Sequence, residues 1–462
     1  MSAQAHTPSS AGPLALVNRL TAAGERLLPF AGPAVALVLG AVALGRAPVD
    51  VDESATIAAA SGPFTDVVER AFEDDPARVG YLALLRPVVA WNDGELWVRL
   101  PSVLATIVAA IAVYRLGRRL FDRRVGAIAS LILASSLGVV MNARTVGPLA
   151  LALAAMLVST ALFARAVERG HVVWWGLYAV TTITLPLTHP IAASALAAQL
   201  VALALARREV DLRMAVPAAA IATLECSLFL GAAIVDRAAA ANGAGSLELD
   251  ELGIGVGRAL GWSPVVAALA GWGFVVLVRR LDREPARWRL ALVAGLAGMP
   301  LVGALAVGTV LPVYVHDALT VSAGGLALAA GAGLIAIQDR TLRLAILGSV
   351  IAVAVAALVT AGLAERRQDW RIAAAVARSQ VTARDTVVVV PARARAALEY
   401  YAPELEPTGT GRGAAVTVVV VGDPALAVAA AREVVSPPRY ALLEQQPAGT
   451  ALVVQRWVRP GS

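Results

Sequence analysis

An acidic pair, Asp52-Glu53, follows the first hydrophobic segment of the chain and opens a polar loop. Carboxylates at the end of a membrane helix can take a proton from a hydroxyl group or hold a divalent cation at the boundary between water and lipid. They can equally cap a helix that starts near Ser54, because acidic side chains satisfy free N–H groups there. Asp52 is therefore a candidate general base or metal ligand, with helix capping as the alternative.

A second acidic cluster, Glu73-Asp74-Asp75-Pro76, lies on the same loop. If the two clusters fold against each other, their hard oxygen ligands can share a divalent cation such as Mg²⁺ or Mn²⁺. The alternative is an acidic turn that is simply solvated. Such a cation, with Asp52 as its first candidate ligand, is the one cofactor that the sequence suggests.

Three other polar sites fall at the ends of hydrophobic segments. Arg144 can bind phosphate through its planar guanidinium if it faces a cavity, or it can extend along the helix toward water. His189 at membrane depth indicates ligand binding or proton transfer, with helix packing as the alternative. His316 and Asp317 end another hydrophobic segment. We expect these groups to meet on one face of the protein.

The composition is that of a membrane protein. Hydrophobic residues make up 58% of the 462 residues and charged residues 16%, against about 25% charged residues in soluble proteins. Mean hydropathy is +0.71. All 39 basic residues are Arg, a bias typical of a GC-rich genome such as that of an actinobacterium, and they cluster beside hydrophobic runs, which argues against nucleic-acid binding. The single cysteine, Cys226, excludes an intramolecular disulfide.

Eleven apolar runs approach the roughly 20 residues that a membrane-spanning helix needs. They lie near 28–46, 100–117, 125–142, 147–165, 173–190, 191–206, 214–234, 260–278, 289–311, 318–337 and 343–363. Arg residues concentrate in every second loop between them, which marks those loops as cytoplasmic. The sequence thus predicts a multi-pass plasma-membrane protein with a cytoplasmic N-terminus. Residues 47–99 and the segment after 363 are then extracytoplasmic.

Three parts follow from this topology: a cytoplasmic tail (1–27), a transmembrane domain (28–363) and an extracytoplasmic α/β domain (364–462). The outer loop 47–99 contains two amphipathic stretches, Phe64–Phe72 and Val79–Trp91, which we expect to lie as helices along the membrane surface. In the tail the patterns predict a helix with Asp369-Trp370-Arg371, a strand Thr386–Val390, a helix with Tyr400-Tyr401, a strand Val416–Val421, a helix after Asp423-Pro424, and strands near 439–444 and 450–456.

Seven ordered motifs resemble those of the GT-C superfamily of multi-pass glycosyltransferases, in the branch of lipid-linked sugar transferases and protein mannosyltransferase relatives. The motifs are Asp52-Glu53, Trp97–Ser102, Tyr114–Phe121, Ala143-Arg144 with Pro148, Thr188-His189, Asp369-Trp370-Arg371 and Asp385–Val388. The resemblance implies a mainly α membrane bundle of about eleven spans with the small α/β domain outside.

For function, the resemblance implies transfer of a sugar, mannose being one candidate, from a polyprenyl-phosphate donor to an envelope glycan, glycolipid or protein on the outer face. It implies that Asp52 is the general base or a metal ligand, that Glu53 supports it, and that Arg144 contacts the donor phosphate, with His189 beside it. Asp75, Tyr81, His316 and Asp317 are supporting candidates.

The chain also departs from the family pattern. Thr145, Gly147 and Leu149 replace an acidic residue, a second Arg and a Tyr after Arg144, and Asp75–Tyr81 replaces a His-Pro-Pro-Leu-Tyr-like element. These departures keep open a catalytically silent scaffold of envelope assembly. A transporter of lipid-linked sugars is a third hypothesis, but it requires mid-membrane polar groups on broken, repeated helices, and the sequence has no such repeat.

Overall fold

The computed structural model describes residues 13–74, 76–240, 249–280, 287–308, 318–364, 369–382, 385–408, 415–421, 424–435, 440–448 and 451–459. The first helix, α1, spans Pro13–Ala41. It therefore already includes part of the segment predicted to be an N-terminal tail, and it ends before residue 46, where the first predicted span ends.

Three helices follow in the loop after α1: α2 (Val51–Ala59), α3 (Phe64–Asp74) and α4 (Val79–Trp91). Both predicted amphipathic stretches are helical, as α3 and α4. The expected helix near Ser54 begins earlier, at Val51, because Asp50 caps its N-terminus. The acidic pair therefore lies inside the first turn of α2 rather than ahead of the helix.

The apolar region continues as a bundle of helices. Their bounds are α5 Glu95–Leu120, α6 Arg123–Ser135, α7 Leu137–Ala143, α8 Leu149–Arg169, α9 Val172–Thr182, α10 Thr184–Thr188, α11 Ser194–Ala206, α12 Leu212–Ala240, α13 Leu249–Ala259, α14 Pro264–Arg280, α15 Arg287–Gly308, α16 Ala323–Ala336 and α17 Arg340–Ala364. Within the described ranges, five helices are long and apolar enough to cross a membrane. Two bent pairs, α6–α7 (64°) and α13–α14 (82°), raise the number to seven, and three shorter apolar helices accompany them. The count of eleven spans stays a prediction.

Small residues let these helices approach closely. A Cβ atom added at Gly117 of α5 would lie 2.7 Å from the Cα of Gly126 in α6. The buried Gln199 of α11 donates to Ser159 Oγ (3.2 Å) and Thr160 Oγ1 (3.1 Å) of α8. Close packing and interhelical hydrogen bonds are what hold helices together where lipid removes the hydrophobic driving force. They give α5 and α8, which border the acidic loop, a fixed place.

The C-terminal part folds around a four-stranded sheet. Its elements are α18 Trp370–Gln380, β1 Thr386–Val390, α19 Arg395–Tyr401, β2 Ala415–Val421, α20 Pro424–Val434, β3 Ala441–Pro447 and β4 Leu452–Val458. The strand order is β1-β2-β4-β3, with β1 and β2 parallel and the other pairs antiparallel. Val387 and Val389 pack with α18 and α19, whereas Val388 packs with α20 on the opposite face, as the two-residue period of a strand requires.

Candidate active site

The acidic segment forms the N-terminus of α2 through a capping box. The Asp50 side chain accepts a hydrogen bond from the Glu53 N–H (2.8 Å), and the Asp50 N–H donates back to Glu53 Oε2 (3.3 Å). Burial among neighbouring protein atoms and the adjacent Glu53 carboxylate raise the pKa of Asp50 to about 6, although its side chain still reaches solvent. The cap orients the first turn, and with it Asp52 and Glu53.

Glu53 is buried, with 3% of its surface exposed. Its Oε1 accepts from Arg99 Nε (2.9 Å) and from the Val146 N–H (2.8 Å). Its Oε2 accepts from Arg99 Nη2 (2.5 Å) and from the Asp50 N–H. Since both oxygens already accept two hydrogen bonds, Glu53 joins α2 to α5 and to the turn after α7. Neither oxygen has a position left for the proton of a substrate hydroxyl, and the supporting role of Glu53 stays a prediction.

Asp52, in contrast, points its carboxylate to solvent. The residue is exposed, and nothing in the described part of the chain hydrogen-bonds to its side chain or pairs with it; its backbone carbonyl accepts from Thr56 Oγ1 (2.8 Å). Of the acidic pair, Asp52 is thus the residue with an available carboxylate.

A guanidinium group that had no role in the sequence prediction binds α2 one helical turn after Asp52. Arg78, the residue before α4, donates from Nη2 to Thr56 Oγ1 (2.7 Å). Thr56 is one helical turn after Asp52, so the two residues lie on the same face of α2, with Cβ atoms roughly 6 Å apart. In the described ranges this is the single hydrogen bond of the Arg78 side chain, which leaves other guanidinium donors available.

Tyr81 and His189 lie on neighbouring elements. Tyr81 is buried, and its hydroxyl lies near Ser102 and the Gly147 backbone without closing a hydrogen bond to any described residue. His189 Nδ1 accepts from the Ile191 N–H (3.2 Å) and so caps the turn after α10. The two elements touch, since a Cβ added at Gly80 would lie 2.9 Å from the Leu187 carbonyl oxygen. The donor-binding role of His189 and the supporting role of Tyr81 stay predictions.

Arg144 ends α7 and reaches α1. Its Nη1 donates to the carbonyl oxygens of Val42 (2.5 Å) and Leu39 (3.4 Å). A cationic side chain is favourable at that helix C-terminus because free carbonyls and the helix dipole meet there. Sequence reasoning expected this Arg at the donor phosphate, and that role stays a prediction.

Arg144 is one of three Arg residues that hold the chain between α1 and α2. Arg99 donates from Nη1 to Leu44 O (3.0 Å) and Ala47 O (2.8 Å), and from Nη2 to Pro48 O (3.0 Å). Arg371, which follows the Asp369 cap of α18, donates to Gly45 O and Arg46 O (both 3.3 Å). We call residues 42–50 the α1–α2 turn. Arg side chains from α5, from the end of α7 and from the C-terminal domain thus donate hydrogen bonds to its carbonyl groups.

The described part of the chain does not contain a full set of ligands for a metal ion. No group of three His, Cys, Asp or Glu residues there could hold a cation. Glu53 has no free oxygen position, so Asp52 is the carboxylate left from the pair. Asp75, His316 and Asp317 lie outside the described residues. The divalent cation stays a prediction, and we derive no chemical step through it.

This chain matches one protein family model over part of its length and several solved structures in fold. A family model described as dolichyl-phosphate-mannose-protein mannosyltransferase matches residues 75–231. No curated protein sequence matches. Apo ArnT from Cupriavidus metallidurans superposes with a TM-score of 0.57 at 15% identity, over 94% of this chain and 98% of ArnT. In complex with undecaprenyl phosphate, ArnT gives a TM-score of 0.51 at 15% identity, over 92% and 96% of the two chains.

The apo Archaeoglobus fulgidus oligosaccharyltransferase has a TM-score of 0.55 at 10% identity; the match covers 82% of this chain and 64% of that one. This chain therefore spans less than two thirds of the archaeal enzyme. Structural superpositions at such low sequence identity establish the fold but not the activity. The match to the family model and the shared fold together confirm the resemblance of this chain to the GT-C superfamily of multi-pass membrane glycosyltransferases.

Proposed function

We propose that this protein transfers a sugar, mannose being the first candidate, from a polyprenyl-phosphate donor to a cell-envelope acceptor on the extracytoplasmic face of the plasma membrane. The observation that carries the proposal is the exposed carboxylate of Asp52, held in the first turn of α2 within one helical turn of the residue that binds Arg78. The family description names a dolichyl-phosphate-mannose donor. Two structures with the same fold contain undecaprenyl phosphate and dolichol-phosphate.

In the proposed reaction a hydroxyl oxygen of the acceptor attacks C1 of the sugar. The bond between C1 and the phosphate oxygen breaks, and the polyprenyl phosphate leaves with the electron pair. Asp52 takes the proton of the attacking hydroxyl, a step that typically contributes about 10²- to 10⁴-fold in rate. Arg78, with the predicted help of Arg144, stabilises the charge that grows on the leaving phosphate.

Glu53 takes part indirectly in this scheme. Its buried pair with Arg99 and its bond to the Val146 N–H fix α2 against α5 and the turn after α7. Asp52 is then held at a constant distance from the helices that would border a lipid donor. The acceptor class, whether envelope glycan, glycolipid or protein, and the membrane orientation rest on the sequence prediction.

The test is Asp52→Asn, assayed in membranes with a radiolabelled polyprenyl-phosphate mannose donor and an envelope extract as acceptor. We expect transfer to fall at least 100-fold while the protein level stays the same. Asp66→Asn is the matched control, because Asp66 is also exposed and lies on the same loop, in α3. Retained transfer in Asp52→Asn would refute the general-base role. If envelope glycans change on deletion of the gene but not in Asp52→Ala or Arg144→Ala, the protein is a scaffold instead.

A further inference from the structure

The C-terminal domain contacts the α1–α2 turn directly. The Tyr401 hydroxyl, at the end of α19, accepts a hydrogen bond from the Val49 N–H (2.6 Å) and donates to Glu95 Oε1 (2.5 Å). Val49 itself is fully buried and lies three residues before Asp52. A single side chain of the C-terminal domain therefore binds the backbone that leads into the capped turn.

Glu95 makes this contact part of a small network. It begins α5, and its carboxylate accepts from Arg371 Nε (2.9 Å) as well as from Tyr401. A second Arg371 nitrogen, Nη2, also donates to the Glu95 carboxylate. Since the same guanidinium binds Gly45 O and Arg46 O, Glu95, Arg371 and Tyr401 hold the α1–α2 turn at three places. We call these three residues the tail latch.

Apolar packing reinforces the tail latch. Val51, the first residue of α2, packs against the core of the C-terminal domain. Tyr401 also packs against the loop core that contains Val49 and Ile57. The start of α2 is thus enclosed between the membrane bundle and the C-terminal domain, and its position depends on both.

We infer that Tyr401 is a positioning residue for the proposed transfer, acting through Val49 on the orientation of Asp52. The claim that Tyr401 affects the transfer rate rests on the proposed function. The claim that Tyr401 holds the α1–α2 turn rests on the hydrogen bonds alone. Loss of the hydroxyl leaves the Val49 N–H without its acceptor and removes one of the two hydrogen bonds to Glu95 Oε1, so the turn gains freedom next to the cap. Misplacement of a catalytic group by about 1 Å can cost as much as 100-fold in rate.

Tyr400 provides a matched comparison. Its hydroxyl also binds the outer loop, but at the Asp93 carbonyl oxygen (2.5 Å), outside the α1–α2 turn. If the tyrosines served merely to dock the domain, removal of either hydroxyl would have similar effects. If Tyr401 positions Asp52, the two substitutions differ.

The experiment compares Tyr401→Phe and Tyr400→Phe in the full-length protein, reconstituted in lipid nanodiscs. Each change removes one hydroxyl and keeps the ring, so both variants should fold. Hydrogen–deuterium exchange of peptides covering residues 44–53 and steady-state transfer kinetics are measured for both. We expect Tyr401→Phe to raise exchange in that segment at least tenfold and to lower kcat about tenfold with little change in donor KM. Tyr400→Phe should leave both close to wild type.

The outcomes separate this inference from the proposed function. Unchanged exchange in Tyr401→Phe overturns the inference whatever the activity. Raised exchange with unchanged kcat overturns the positioning role, as does an equal loss of kcat in Tyr400→Phe. A wild-type protein that transfers no sugar contradicts the proposed function, while the exchange data still decide whether the tail latch holds the turn.

Discussion

Glu53→Gln should lower the free energy of unfolding by about 3 kcal/mol. In wild type, each Glu53 oxygen accepts one Arg99 bond and one backbone N–H bond. A glutamine must turn its NH₂ group toward one of these two donor pairs, so donors then face donors. One bond to a charged group, about 1.5–3 kcal/mol, and one neutral bond, about 0.5–1.5 kcal/mol, are lost. The sum agrees with the 3–5 kcal/mol typical of breaking a buried ion pair.

Glu168→Gln is the matched control because Glu168 also pairs with an Arg, Arg119 (2.7 Å). The side chains of that pair are 15% and 26% exposed, against 3% and 4% for Arg99 and Glu53. Surface pairs of this kind contribute about 0–1 kcal/mol. The same chemical change should therefore have a much smaller effect at Glu168.

The assay is reversible unfolding in mixed micelles with increasing SDS, followed by tryptophan fluorescence. A loss of 3 kcal/mol corresponds to roughly a 150-fold change in the unfolding equilibrium. Equal shifts of less than 1 kcal/mol for both variants would show that the Glu53 carboxylate does not hold α2, α5 and the turn after α7 together, and the reasoning from its four hydrogen bonds would be refuted.

Two further predictions concern the neighbours of Asp52. The pKa of Asp50 is raised from 3.8 to about 6, so the folded state holds this proton more tightly and stability is lost as pH rises from about 4 to about 6. The Asp50→Asn variant keeps the capping oxygen but cannot titrate. Thermal unfolding midpoints measured between pH 4 and 7 should show wild type losing stability relative to this variant. Parallel pH profiles of the two proteins would contradict the raised pKa of Asp50. Arg78→Gln should raise the donor KM at least tenfold in the transfer assay. Arg86→Gln is the control and should leave the KM unchanged, because it removes a guanidinium that binds Gly62 O on the same loop. Similar KM values for both variants would exclude Arg78 from the donor site.

Local patterns were enough to predict much of the secondary structure. The amphipathic run Val79–Trp91 is the observed α4, and the β-branched run Thr386–Val390 is β1. Helical periodicity and strand propensity act over a few residues, so a short window contains the signal. The start of α2 was misplaced although its signal is present: Asp50 and Glu53 have the spacing of a capping box, which marks Val51 as the first helical residue.

Long-range pairing lay beyond such patterns. Arg99 is 46 positions from Glu53, and Tyr401 is 352 positions from Val49. Nothing in either local sequence indicates these partners, since an Arg or Tyr at a helix end is common in membrane proteins. The distinction between a saturated Glu53 and an available Asp52 follows from those contacts. Sequence reasoning could name the acidic pair and favour Asp52 by resemblance, but it could not show what occupies Glu53.

The Arg residues around the α1–α2 turn also set an order of events during biosynthesis. A chain is made from its N-terminus, and its domains generally fold as they emerge. The turn is synthesised early, yet the carbonyl groups of Arg46 and Gly45 accept hydrogen bonds from Arg371, which lies 325 and 326 positions later in the chain. A nascent or truncated chain that ends before α18 can insert its helices while the backbone ahead of Asp52 still lacks its final anchors. The acidic segment of the first loop therefore reaches its final contacts near the end of translation, once the domain that contains Arg371 has been made.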